Sequence, residues 1–268
     1  MAVTEFQRDI LRLIARNRIA RGESYVAGGL ALNQLIGGHR ISRDRDLFHD
    51  TEDAVSFAWE IDGKLLVKNG YSVDAVRILP SFIEAVIKQG SSAVLIQWTR
   101  DSAFRFFPLV EDEFFGLVLH PFDLATNKVL AMVGRLEARD WIDVIRCHDT
   151  LQNAGYLFWA ACGKDAGFNP KSLLTESKRS SHYSAEEINQ LSFSGPVPDA
   201  ALLGEHWHSI LKEAEQIIEL LPPEESGTCV LDTEADLFRG GPEILKTAIQ
   251  KKPVRFHKGV IKGAYPKL

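Results

Sequence analysis

The chain has 268 residues, 45% of them hydrophobic and 25% charged, and its 31 Lys and Arg against 36 Asp and Glu give a formal net charge of −5. That composition is of an ordinary globular protein long enough to bury a proper core, and its sign excludes a globally basic nucleic-acid binder while leaving room for a local basic surface. The longest apolar stretches, such as 155–162, fall short of the roughly 20 residues that span a bilayer, and residues 1–20 lack the basic start and cleavage site of a signal peptide. Three widely spaced cysteines, Cys147, Cys162 and Cys229, match no zinc spacing, so the expectation is a cytoplasmic protein with reduced thiols and no membrane partner.

Residues 4–20 place Phe6, Ile10, Leu11, Ile14 and Ile19 at helical spacing until Arg21-Gly22 stops the pattern. Ser24 to Ala27 reads as a short strand running into Gly28-Gly29, Leu30 to Ile36 as a short helix ended by Gly37-Gly38, and Ile41 to Phe48 as the next strand. Thr51 to Lys68 is an amphipathic helix. Short β-rich runs follow at Tyr71–Leu79, Phe82–Ile87, Ala93–Thr99, Phe104–Val110 and Phe115–Leu119, predicting an antiparallel or mixed sheet. Beyond Pro121 the helical period takes over: 123–137, 140–152, 156–164, 185–191 and 200–221, with Ser184 and Glu187 at capping-box spacing. The fold class is therefore α+β, with an α/β part over 1–120 and a helical part over 121–268. The last 25 positions hold seven Lys and Arg and no acid, which leaves −12 on the preceding 243.

Chemistry concentrates in Gly28-Gly29 and in the stretch Arg40-Ile41-Ser42-Arg43-Asp44-Arg45-Asp46-Leu47-Phe48. On a strand, Asp44 and Asp46 point to the same face, and two carboxylates so placed repel unless a cation lies between them. Mg²⁺ takes one or two carboxylates plus substrate phosphates, so the pair suits a metal–nucleotide site. The glycine pair lets backbone approach closely, and N–H groups at a helix start suit a triphosphate. Either part alone has a bland reading, a plain turn or a solvated strand with salt bridges; the order strand, Gly-Gly, helix, Asp-x-Asp is more specific.

The stretch from Gly28 to Phe48 resembles the Gly-Gly or Gly-Ser and Asp-x-Asp motif of polymerase-β-like nucleotidyltransferases, and its local text is similar to the AbiEii/AbiGii-type toxins of type IV toxin–antitoxin and abortive-infection systems. Asp123-Leu124-Ala125-Thr126-Asn127-Lys128 and Arg139-Asp140-Trp141-Ile142-Asp143 resemble that family's helical lysine motif and Arg-Asp-x-x-Asp motif; together the match covers about residues 24–149. The resemblance implies transfer of a nucleoside monophosphate from an NTP to an acceptor, with Mg²⁺ or Mn²⁺. It assigns Gly28 and Gly29 to the triphosphate turn, Ser42 beside the metal site, Asp44 and Asp46 to the metal, Lys128 to the triphosphate, and Asp143 to an essential acidic role. It also implies an RNA acceptor, with tRNA favoured, and a separate antitoxin. The rival readings are a small-molecule nucleotidyltransferase of the aminoglycoside-modifying kind and a catalytically degenerate nucleotide-binding partner protein.

One departure is visible. Such enzymes add a third carboxylate from a later strand, whereas the run 93–98 offers Gln97; Asp101 is the substitute expected as a metal ligand, with Glu111 and Asp112 as further options. Cys147-His148-Asp149 lacks the partner ligands of a phosphohydrolase, and the rings of His206 and His208 fall on different helix faces. The basic tail has three readings: docking on an acidic face of the same protein, holding RNA phosphates, or a frayed terminus.

Overall fold

The structure is a computed structural model and describes residues 5–42, 46–181, 183–251 and 254–267. In chain order the elements are α1 (Glu5–Arg21), β1 (Ser24–Val26), α2 (Gly28–Leu35), β2 (Asp46–His49), α3 (Glu52–Lys68), β3 (Ser72–Leu79), β4 (Phe82–Gln89), β5 (Ser92–Arg100), β6 (Phe104–Arg105), β7 (Val110–Asp112), β8 (Gly116–Val118), α4 (Pro121–Arg135), α5 (Ala138–Thr150), α6 (Ala154–Ala161), α7 (Pro170–Ser177), α8 (Ala185–Asn189), α9 (Ala200–Leu220), β9 (Thr228–Leu231), α10 (Pro242–Lys251), β10 (Arg255–Lys258) and β11 (Val260–Ile261). They group into two units, one of Met1–Ala31, Ile41–Ala103 and Pro108–His120, the other of Leu32–Arg40, Phe104–Phe107 and Pro121–Leu268.

The first unit is a seven-stranded mixed sheet in the order β3-β4-β5-β2-β1-β8-β7. β3, β4 and β5 form an antiparallel meander, while β2 runs parallel to β5 and antiparallel to β1. Alternation along the strands buries Leu47, Ile83, Ala85, Ile87, Ile96 and Trp98 on one face. Helix α1 buries Ile10, Leu11 and Ile14, and α3, N-capped by the Thr51 hydroxyl accepting from Ala54 N–H, buries Val55 and Leu66. A polar node sits inside this core. Arg18 Nε and Nη2 donate to Phe115 O at 3.0 and 2.7 Å, and Asn17 Nδ2 and Trp98 Nε1 donate to Asp62 at 2.7 and 3.0 Å. These bonds stabilise buried groups that would otherwise be costly to desolvate. Burial lowers the Arg18 pKa to about 10 and raises that of Asp62 against the pull of Arg18.

The second unit is mainly helical. Every residue of α6 is buried, the pattern of a helix surrounded on all sides. Gly155 permits its close approach to α9, because a Cβ there would stand 2.8 Å from Ile217 Cβ and 3.0 Å from Ala214 Cα. Two small strand pairs complete the unit: β9 with β10, and β6 with β11.

The α+β expectation with a mixed sheet holds. The expected strand over 104–110 does not: it is broken after Phe104 and Arg105 and resumes only at Val110, the first residue of β7, because the N–H groups of Phe106 and Phe107 donate to the two oxygens of Asp123 at 2.9 and 3.0 Å rather than to a neighbouring strand. Of the strand expected over 41–48, residues 41 and 42 are not β, residues 43–45 lie outside the described residues, and β2 begins at Asp46. The tail is not a frayed terminus. Residues 255–258 and 260–261 are paired strands, and His257 Nε2 is 2.7 Å from Phe106 O. Helices α7 and α10 and strands β9 to β11 have no counterpart in the sequence expectation.

Candidate active site

In the first unit the site begins where β1 ends. After Ala27 the backbone takes φ +74° at Gly28, a left-handed conformation that strains an L side chain; nothing lies within 4 Å of the Cβ a larger residue would carry, so the backbone angle and not crowding calls for glycine. α2 starts at this residue, so Gly28 and Gly29 stand in its first turn, where N–H groups lack intrahelical acceptors. Ser42 is buried. Asp44 lies outside the described residues, so the structure is silent on the first carboxylate of the pair.

Asp46 opens β2 and is in register with Gln97 of β5, which is in register with Glu84 of β4, which faces Arg77 of β3. Residues paired across strands share a face, so these four side chains form a polar row across the sheet. The next row, Leu47, Trp98 and Ile83, points to the opposite face and is 1%, 0% and 2% exposed. Within the polar row Gln97 Nε2 donates to Glu84 Oε2 at 2.6 Å. Glu84 is the acid that sequence reasoning missed. The signal for it is the two-residue loop Gly90-Ser91, whose glycine has φ +59° as the first position of a II′ hairpin turn requires, and which sets Glu84 opposite Gln97.

Asp101 does not stand beside Asp46. It follows β5, its N–H donates to His49 O at 2.9 Å at the far end of β2, and it lies four residues beyond Gln97, about 13 Å along a strand. The expectation that Asp101 joins Asp46 as a metal ligand is corrected on that ground. Asp112 accepts from the N–H groups of Phe114 and Phe115, and β7, which carries Glu111 and Asp112, is separated from β2 by β8 and β1.

In the second unit, α4 and α5 bring Lys128, Asp140 and Asp143 together. Lys128 Nζ is 2.7 Å from Asp140 Oδ1 and 3.0 Å from Asp143 Oδ2. Arg40 grips Asp143 with two parallel bonds, Nε to Oδ1 at 2.9 Å and Nη2 to Oδ2 at 2.7 Å, and Asn33 Nδ2 adds a third donor at 3.2 Å. Arg135 Nη2 reaches Asp140 Oδ2 at 3.0 Å. Three cations thus surround two carboxylates, and Lys128, at 7% exposure, is not a solvated surface lysine. Burial raises the Asp143 carboxyl, but the charge of Lys128 and the hydrogen bonds and charge of Arg40 outweigh it, holding its pKa below the usual carboxylate value. Arg40, to which the sequence motifs give no role, is anchored here four residues before Asp44 in the chain.

Other candidates resolve plainly. His148 Nδ1 accepts from Ala154 N–H and its Nε2 is 3.8 Å from Glu213, while His206 Nε2 is 2.8 Å from Asp149. Among the described residues no group of three or more His, Cys, Asp and Glu is arranged to hold a metal ion, and no helix is long and apolar enough to cross a membrane.

No protein-family model matches the chain, and no curated protein matches it in sequence. Solved structures do match it in shape. JHP933 from Helicobacter pylori superposes with a TM-score of 0.51 at 14% identity, over 81% of this chain and 95% of that one. A second H. pylori structure, described as a putative nucleotidyltransferase, gives 0.50 at 15% identity over 80% and 95%. MenT4, a nucleotidyltransferase toxin of Mycobacterium tuberculosis, gives 0.50 at 15% identity over 81% and 83%. The chain therefore has the fold found in nucleotidyltransferases, and the polar row from Asp46 to Arg77 lies on its sheet.

Proposed function

We propose that this protein is a metal-dependent nucleotidyltransferase that moves a nucleoside monophosphate from an NTP to a hydroxyl of an RNA acceptor, tRNA foremost, as an AbiEii/AbiGii-like cytoplasmic toxin restrained by a separate antitoxin. The observation that carries it is Asp46 at the start of β2 in a nucleotidyltransferase fold, downstream of a left-handed glycine that opens α2. The carboxylate of Asp46 and the amide oxygen of Gln97 are hard oxygen donors, the kind that suits Mg²⁺ or Mn²⁺. When bound, such an ion neutralises charge on the phosphate oxygens as the α-phosphate is attacked. Asp46, with Asp44, holds that ion, with Ser42 assigned beside it by the motif resemblance; the N–H groups at Gly28 and Gly29 receive the triphosphate. The motif resemblance gives Lys128 a role at the triphosphate; within its own unit its ammonium is held by Asp140 and Asp143. Asp143 acts by holding Lys128 and Arg40 in place. The RNA acceptor and the toxin role rest on the motif resemblance and on the shared fold with MenT4, together with the basic tail.

The test is incubation of the protein with each α-labelled NTP, Mg²⁺ and total tRNA. Label on RNA is expected, and Asp46→Ala is expected to cut it by about 10²- to 10³-fold, the range seen when an electrostatic stabiliser of the transition state is removed. Full transfer by Asp46→Ala would overturn the assignment, and label found only on an added aminoglycoside would replace RNA with a small-molecule acceptor.

A further inference from the structure

The row Asp46, Gln97, Glu84 specifies which way the Gln97 amide faces. An ionised carboxylate accepts hydrogen bonds and donates none, so the 2.6 Å bond with Glu84 requires the NH₂ of Gln97 on the β4 side. Oε1 is then turned to the other side of the amide, where β2, about 4.8 Å away as neighbouring strands are, carries Asp46 in register. The register cannot drift, because a slip of one residue would bring Leu47, Trp98 and Ile83 out of the core. We propose that Gln97 Oε1 is a direct ligand of the divalent ion bound by Asp46, and that Glu84 is a positioning residue that locks the amide with its oxygen toward that ion. The inference rests on the metal-dependent reading above.

The arrangement has a chemical consequence. A neutral amide oxygen compensates less of the charge of a divalent ion than a carboxylate does, so the ion is held weakly until phosphate oxygens join the coordination shell, as Mg²⁺ sites built on few protein ligands require. Orienting groups behind a ligand commonly govern affinity by 10- to 100-fold.

The experiment titrates Mn²⁺ into the full chain without nucleotide, reading free Mn²⁺ by electron paramagnetic resonance, with a thermal melt of each variant as a folding control. Gln97→Leu is expected to weaken Mn²⁺ binding by about 10-fold or more, and the isosteric Gln97→Glu to tighten it by a similar factor. Glu84→Leu is expected to weaken binding by about 10-fold in the parent and not to weaken it on the Gln97→Glu background, where a carboxylate presents oxygen either way round and loss of its like-charged neighbour removes a repulsion. If Gln97→Leu binds Mn²⁺ as the parent does while Asp46→Ala does not, the ligand assignment is overturned. An equal effect of Glu84→Leu on both backgrounds overturns the positioning role. If Asp46→Ala itself leaves Mn²⁺ binding unchanged, the metal-dependent reading fails along with the inference.

Discussion

Lys128 illustrates how a single side chain can be held twice. Its ammonium is shared by Asp140 and Asp143, which are 0% and 1% exposed. Removing one partner of a buried ion pair costs more than the pair itself contributes, because the remaining charge stays desolvated. Lys128→Met is therefore expected to lower the unfolding free energy by about 3 kcal/mol, measured by urea denaturation. The depressed pKa of Asp143 gives stability that is full above its unfolded value near 3.8 and disappears as pH falls through the lower folded value. His49 acts earlier in an acid titration. Burial lowers its pKa to about 4 from 6.5, against the smaller opposing effect of the bond to Thr99 O. The folded state therefore binds fewer protons than the unfolded one between those two values, so the stability present above about pH 6.5 declines as pH falls toward 4, by up to about 3 kcal/mol. His49→Asn is expected to flatten that decline; an unchanged slope between about pH 7 and 4.5 would refute it.

At the scale of elements, the C-terminal strands matter most. β10 covers β9, whose four residues are all buried, and β11 pairs with β6. Deleting 254–268 strips both pairs and is expected to lower the melting temperature by several degrees, as a destabilisation of about 1 kcal/mol or more would, so such a truncation tests folding before it tests any role of the basic residues. How much of this is legible in the sequence follows from which signals are local. Amphipathic period alone locates α1, α3, α5 and α9, and β-rich runs locate β3, β4 and β5. The capping box at Ser184 and Glu187 is formed as its spacing indicates. Asn169-Pro170 with Ser172 is a helix start of the same local kind, so α7 is an element that sequence reasoning missed although its signal is present. β10 and β11 cannot be read this way, because Arg255 to Lys258 has no clean alternation and the two residues of β11 pair with β6, far back in the sequence. The Asp46–Gln97–Glu84 row is half legible: the aspartate stands in a motif, but the glutamate's place depends on pairing register.

For the whole molecule, the net charge of −5 conceals a division between −12 over residues 1–243 and +7 over the rest. Since 255–258 and 260–261 are ordered strands, Lys258 and its neighbour Lys262 are displayed from fixed backbone, and both are exposed, as is Lys267. If RNA is the acceptor, replacing Lys258, Lys262 and Lys267 with Gln should reduce the slope of log affinity against log salt by about 2, at about 0.7 for each phosphate that is no longer neutralised on a single strand. NTP binding should not change. Filter binding across a salt series reads both, and an unchanged slope would separate the tail from RNA.

The bond from His257 to Phe106 spans 151 residues of chain. Synthesis runs from the N-terminus at about 5–20 residues per second, so the 106–107 segment emerges roughly 8–30 s before the histidine that will fasten it. The seven-stranded sheet draws only on residues up to 120 and can assemble on the ribosome, whereas the helical unit waits for its last strands. A chain terminated before residue 255 would thus hold every strand of the sheet, Asp46 included, while the unit that carries Lys128 and Asp143 lacks its last two strands.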